Sequence, residues 1–373
     1  MYPCFLSPPP SLSFSDQYAF RPTGSTTAAI IANLQILSQL LATNPYVHIF
    51  ALDFSKAFDS IRHSSLLEKM SMLNIPDYVF NWLVDFFEGH SQCTKFGNKI
   101  SSLEAITAGV IQGSAIGPAS FLVCASDLHP TQKGNHHNKY ADDVYLIVPA
   151  SNSQTCATEI QHIANWAADN NLKLNQSKSF EMIVASSTSK LNNLSQISAP
   201  LPNIARVDSL VMLGVTVQHN LRMTTHVAEK ISSCSRSLYA LKVLKAHGMP
   251  KTELQEVFRA TTLASLLHAV PAWWGFTLAE DRDRLNAFLN KCKNAGLYPI
   301  EGPSIEAIVT KAEQTLFDSF KQDHNHVLHP YLPPKADRHY NLRTRVHPYT
   351  IPAKTTSLAD KNYFTRLLYR NCY

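Results

Sequence analysis

KYADDVYLIV, residues 139–148, is apolar on both sides of an acidic pair, the pattern of a strand, a tight turn and a second strand. Asp142 and Asp143 then sit at the tip of the hairpin. Upstream, VHIFALDF (47–54) reads as a buried strand, apolar until Asp53 near its end. Carboxylates gathered at strand ends repel one another and lose hydration, so a fold that gathers them normally holds a cation there. Hard carboxylate oxygens suit Mg²⁺, which is commonly shared with substrate phosphates. Taken singly, an acidic pair at a turn is more often solvated surface. Order and spacing along the chain must decide.

Outward from these aspartates the chain reads as mixed helix and strand. Apolar positions Ala29, Ile30, Leu34, Ile36, Leu37 and Leu41 follow a helical period. FSKAFDSIRHSSLLEKM (54–70) reads as a turn and a helix, and 76–90 as an amphipathic helix with an aromatic face. GVIQGSAIGPASFLVCASDL (109–128) opens with glycine punctuation and continues as an apolar helix; 154–171 is a further helix containing Trp166. FEMIVA (180–185) and LVMLGVTV (210–217) read as strands. Beyond that, Val227, Ile231, Cys234, Leu238, Leu241 and Leu244 form a helical stripe, with Lys230, Arg236, Lys242 and Lys245 off it. Helices are expected near 251–270 and 279–294, with Trp273–Trp274 in a core role. Residues 1–16, rich in Ser and Pro, are expected to be loose, and 300–373 to form an irregular basic tail.

Composition excludes a fibrous or wholly disordered chain: 45% hydrophobic and 16% charged residues. The net charge of +5 is unevenly placed. Residues 222–373 hold 21 Lys+Arg against 13 Asp+Glu, whereas 1–221 hold 12 against 15. An acidic, metal-binding half and a basic half suited to polyanions follow. Seven scattered cysteines with no CxxC argue against zinc and against any disulfide partner, and for a reduced interior. The proline-broken start lacks a basic leader region, and no apolar run is read as long enough to span a membrane.

Six blocks then fall in one order. DQYAFRPTGSTTAA (16–29), FALDFSKAFDSIRHSSLL (50–67), QGSAIGP (112–118), YADD (140–143), NLKLNQSKS (171–179) and LGV (213–215) resemble the block before motif A and motifs A to E of reverse transcriptases. The AFD with its downstream His, the YADD and the LNxxK form are similar to the non-LTR (LINE-type) branch. The resemblance implies an α+β fold: a right-hand polymerase palm with partial fingers (17–217), a helical thumb (218–299) and an irregular tail (300–373). It also implies an RNA-directed DNA polymerase that uses two Mg²⁺ ions, with Mn²⁺ as the alternative, an RNA template, a DNA primer and deoxynucleoside triphosphates.

Residue by residue, the resemblance assigns Asp53, Asp142, Asp143 and the Phe54 carbonyl to the metals. Lys178 is assigned to the departing pyrophosphate, and Gln112 and Gly113 to the incoming nucleotide. Phe58 matches the steric gate; its other reading is a core Phe on an apolar helix face. Leu213 and Gly214 match the primer grip and Arg21 the nucleic-acid-binding block. Lys230, Arg236, Lys242 and Lys245 either track template–primer phosphates or form a solvated face. His136–His137 are expected in a polar loop.

The resembling block begins at Gln17, so an N-terminally truncated element is expected, with weak or no processive synthesis. A catalytically inert nucleic-acid-binding remnant and a host-adapted, maturase-like RNA-binding cofactor are the competing readings. Localisation stays open between nucleus and cytoplasm.

Overall fold

The structure, a computed structural model, describes residues 2–111, 113–185, 197–336, 347–354 and 356–372. Two compact units are present. The first comprises Met1–Ser25, His48–Glu181 and Ser198–Arg206; the second comprises Thr26–Val47, Met182–Ile197 and Val207–Tyr373. This division differs from a boundary near 217, because the Thr26–Thr43 helix groups with the C-terminal part of the chain.

The first unit holds most of a mixed sheet. β1 (Tyr46–Leu52) lies beside β7 (Asp143–Pro149), which pairs antiparallel with β6 (His136–Tyr140); β8 (Phe180–Ala185) lies on the other side of β1 and pairs parallel with β9 (Ala205–Arg206). β1 and β7 are buried along nearly their whole length, as their apolar sequence requires. Helices His63–Ser71, Gly117–Cys124 and Cys156–Asp169 bury Leu66, Phe121 and Ile160 in the same core as Phe50, Leu52 and Leu146. Between the helix Asp77–Phe87 and Ala108 the chain forms an exposed nested hairpin, β2 (Ser91–Gln92) with β5 (Glu104–Ala105) around β3 (Lys95–Phe96) and β4 (Lys99–Ile100).

Two first-unit expectations are corrected. The N-terminal lead is packed: Phe5, Leu12 and Phe14 are buried in the core, and the Ser13 N–H donates to the Ser126 carbonyl at 2.8 Å. Its apolar residues outweigh its prolines. Residues 136–137 are strand rather than loop, and burial drives the His137 pKa down to about 3. His137, Asn138 and Lys139 are buried in succession along β6, which the polar character of HHNKY conceals.

The second unit is mainly helical. Thr224–Ala246 packs on Lys251–Phe258 and Ala279–Asn294, and Thr26–Thr43 packs on Val270–Trp273 and Tyr363–Arg370. LVMLGVTV is a hairpin rather than one strand: β10 (Ser209–Met212) and β11 (Val215–Gln218) enclose a two-residue turn at Leu213–Gly214. Gly214, at φ 83, makes that turn possible. Residues beyond 300 are not an irregular tail either. Ile305–Gln322 is a helix burying Ile305, Val309, Phe317 and Phe320, and Tyr363–Arg370 is another. Buried Glu313 anchors the latter by taking Arg366 at 2.6 Å and Arg370 at 2.8 Å. The expected stripe on Thr224–Ala246 holds through Leu241 but ends before Leu244, which is 44% exposed. Trp273 and Trp274 are buried, as expected of a core pair.

One helix, Thr26–Thr43, is after all long and apolar enough by length and composition to cross a membrane. Ten of its residues are buried, including the polar Asn33. That is the burial of a core helix.

Candidate active site

Asp53 directly follows β1, and its backbone is held at both ends. Its N–H donates to the Ser179 hydroxyl at 3.2 Å and its carbonyl accepts from the Asn175 N–H at 2.8 Å. The Ser55 N–H donates to the Lys173 carbonyl, so Phe54 and Leu174 form an antiparallel bridge between these two bonds. In such a bridge the paired residues turn their own N–H and C=O away from each other. The Phe54 carbonyl therefore faces the side away from Leu174, where it can serve as a ligand. Lys178 is exposed, one residue before Ser179, on the segment that clamps Asp53.

Tyr140 pairs with Asp143, which leaves Ala141 and Asp142 as a two-residue hairpin turn. β7 and β1 are sheet neighbours, so this turn is brought to the strand that delivers Asp53. The electrostatics record the meeting. The Asp143 carboxyl is pushed up to about 6, by burial first and then by the charges of Asp142 and Asp53. Asp142 is also raised, by burial and by Asp53. Asp143 remains solvent-exposed at its surface, so water tempers its share. Asp142 and Asp143, both held back from ionising, together with Asp53 supply hard carboxylate oxygens of the kind that suit divalent cations. Among the described residues no three His, Cys, Asp or Glu side chains are drawn tightly enough to form a finished metal cage.

Phe58 is half-buried and stacks on Phe121 at 4.6 Å between ring centroids, with the exposed Phe20 edge-on at 6.3 Å. Gly113 lies at φ 84 with open space where a Cβ would point. Gln112 lies outside the described residues. The Ser114 hydroxyl accepts from the Gly117 N–H at 3.0 Å and so starts the helix Gly117–Cys124. Gly109, at φ 88, lies so close to the Asp59 carbonyl that a Cβ would stand 2.8 Å from it. The Arg21 guanidinium donates to the Phe14 carbonyl at 2.7 Å and the Gln17 carbonyl at 3.5 Å, an internal brace.

In the second unit, the Leu213 carbonyl accepts from His268 at 3.1 Å. Arg236 and Lys242 are exposed, Lys230 is half-buried, and Lys245 donates to the Ala295 carbonyl at 2.7 Å. Exposed Tyr239 lies one turn from Arg236 and Lys242 on the same helix.

Several supports escaped the sequence reading. Gln17, Asn175 and Ser179 all lie inside recognised blocks, but nothing in their spacing announces which backbone groups they hold. Lys139 is wholly buried, its ammonium shared among Ala125, Leu128 and Asp16. The tyrosine-flanked strand around it gives no hint of that.

The profile of the reverse transcriptase (RNA-dependent DNA polymerase) family matches residues 5–217. The chain belongs to this family. Its reverse-transcriptase block contains both aspartate-bearing strands and the Asn175–Ser179 clamp. Relatives include a probable RNA-directed DNA polymerase from transposon BS of Drosophila melanogaster, 23% identical over 301 residues, covering 75% of this chain and 32% of the relative. A second, from transposon X-element of the same fly, is 25% identical over 294 residues, covering 74% of this chain and 31% of the relative. Both are LINE-type company, and the chain spans about a third of their length. Among solved structures, a telomerase from Candida tropicalis in complex with a fragment of telomeric RNA aligns with 82% of this chain and 51% of its own, at 12% identity and a TM-score of 0.45. In a reverse transcriptase the five-stranded sheet with its covering helices is the palm, and the family generally uses divalent metal ions.

Proposed function

We propose that the chain is the RNA-directed DNA polymerase portion of a LINE-type element, joining deoxynucleotides to a primer 3′-hydroxyl on an RNA template. The observation that carries this reading is the electrostatic coupling of Asp53, Asp142 and Asp143 at neighbouring strand ends. Asp53, Asp142 and the Phe54 carbonyl, supported by Asp143, would hold two Mg²⁺ ions, which supply positive charge to the attacking hydroxyl and the departing pyrophosphate.

The protein's own groups do the rest. The Ser179 and Asn175 bonds fix the Asp53 backbone, so its carboxylate is presented without reorganisation at the moment of reaction. The Phe58 ring, backed by Phe121, crowds a ribose 2′-hydroxyl and favours deoxynucleotides. Gly113 lets the incoming nucleotide approach the backbone, with Gln112 beside it. Lys178 offers a cation and a proton to the pyrophosphate from the segment that clamps Asp53. Leu213 and Gly214 grip the primer. The cations Lys230, Arg236, Lys242 and Lys245 serve the nucleic acid, so affinity falls as salt rises, while Arg21 holds the Phe14 and Gln17 carbonyls instead.

Primer extension on an RNA template with Mg²⁺, beside Asp142→Ala, tests the reading. Extension that disappears in the variant is expected. Salt-sensitive RNA binding with no extension in the wild type would overturn it in favour of an inert binding protein.

A further inference from the structure

The turn that carries Asp142 has an unusual backbone. Ala141, its first residue, lies at φ 55, in the left-handed region. Two-residue hairpin turns need such a conformation, and glycine, asparagine or aspartate normally supply it. An alanine there is disfavoured by its Cβ and returns to ordinary φ unless its surroundings hold it.

One side chain does the holding. Gln17 is 2% exposed, and its Oε1 accepts from the Ala141 N–H at 3.0 Å and from the Ala19 N–H at 3.0 Å. Its Nε2 reaches back to the Ala141 carbonyl at 3.5 Å. The amide thus brackets the residue in the left-handed conformation from both ends. Gln17 is itself fixed. The Tyr18 N–H donates to the Lys139 carbonyl at 2.9 Å, the Lys139 N–H donates to Asp16 at 2.7 Å, and the Lys139 ammonium meets the Asp16 carboxylate at 3.1 Å. The Gln17 segment is therefore added parallel to the edge of β6, in register with the turn.

We infer that Gln17 is a positioning residue for the catalytic hairpin: its carboxamide holds Ala141 left-handed and so aims the Asp142 carboxylate. The inference rests on the polymerase reading of this hairpin, in which Asp142 binds a divalent ion. Partners behind metal ligands typically contribute about 10- to 100-fold to metal affinity. Gln17 touches neither metal nor substrate, so its effect reaches the ion only through the turn.

The test needs no nucleic acid. Mn²⁺ binding is measured by electron paramagnetic resonance on the full chain, and hydrogen exchange is followed by mass spectrometry on peptides spanning Ala141. Gln17→Met keeps the length and burial but removes both hydrogen-bonding atoms. It is expected to weaken Asp142-dependent Mn²⁺ binding by about tenfold or more and to speed exchange at Ala141. Adding Ala141→Gly, which adopts positive φ without a Cβ, is expected to restore part of the lost affinity; a general loosening of the fold would not be repaired this way. Gln17→Glu keeps the acceptor oxygen and is expected to leave exchange at Ala141 as slow as in the wild type, which preserves the test if Gln17→Met fails to fold. Unchanged Mn²⁺ affinity in Gln17→Met, no rescue by Ala141→Gly, or fast exchange in Gln17→Glu overturns the inference. A wild type whose Mn²⁺ binding does not depend on Asp142 overturns the polymerase reading instead, and exchange at Ala141 then decides the hold alone.

Discussion

Two hairpins in this protein turn within two residues and solve the same backbone problem differently. In the β10–β11 hairpin, Leu213 at φ 48 is followed by Gly214 at φ 83, and a single hydrogen bond from His268 to the Leu213 carbonyl finishes the turn. In the β6–β7 hairpin the corresponding pair is Ala141–Asp142, with no glycine, and Gln17 supplies the hold from 124 positions away. The difference follows from what each turn carries. Where carboxylates must occupy the tip, glycine's conformational freedom is replaced by a bond from outside the hairpin. Where the tip carries no charge, the freedom is built into the turn.

The largest expected effect separates the tips by chemistry. Asp142→Ala is expected to lower primer extension by roughly a thousandfold or more, since charge stabilisation by a metal is worth several kcal/mol and about 1.4 kcal/mol is a factor of ten. RNA binding at low salt should be unchanged. Single-turnover extension and a filter-binding titration read the two quantities separately.

Next come the backbones. Gly214→Ala puts a Cβ on a residue at φ 83, about 3.4 Å from His268, and should cost about 1–2 kcal/mol of stability. Ala141→Gly should change stability by less than about 1 kcal/mol, because relief of the left-handed strain is offset by a freer unfolded chain. Denaturant unfolding of both variants measures the asymmetry; equal costs would break the comparison. His268→Ala removes the one bond that finishes the glycine turn and should cost about 1 kcal/mol, read as a shift in the denaturant midpoint.

The smallest effect depends on pH. The folded-state pKa of Asp143 is raised to about 6 from an ordinary 3.8, so the fold favours its protonated form. Its favourable contribution is complete below about pH 4 and is lost as pH rises through about 6. In metal-free buffer, Asp143→Asn should therefore be more stable than the wild type at pH 7, with the two melting curves converging below about pH 4. Added Mg²⁺ should stabilise the wild type more than the variant at pH 7. A variant that melts lower than wild type at pH 7 without metal would show that repulsion at this tip is not felt.

Much of this architecture was readable along the chain. The apolar runs ending in Asp53 and following Asp142–Asp143 became β1 and β7, because a strand buried on both faces must be apolar throughout, whereas β6 is the polar HHNKY and was legible only at its last two residues. Helices Asp77–Phe87, Cys156–Asp169 and Ala279–Asn294 follow their periodicity closely. The errors cluster where composition misled. The Pro- and His-rich stretch between Ile305–Gln322 and Tyr363–Arg370 drew the whole region towards an irregular reading although neither helix contains either residue, and prolines in the lead concealed Phe5, Leu12 and Phe14.

Local pattern was thus enough to name the strands, the acidic turn and the family-like blocks, since hydrophobic period and turn chemistry act between near neighbours. It could not reveal that Gln17 brackets Ala141, that Ser179 and Asn175 hold Asp53, or that Lys139 is buried on three oxygens. These bonds join residues far apart in sequence. Each exists because a buried polar group must find a partner, and which partner is within reach is settled when the sheet and its neighbours pack.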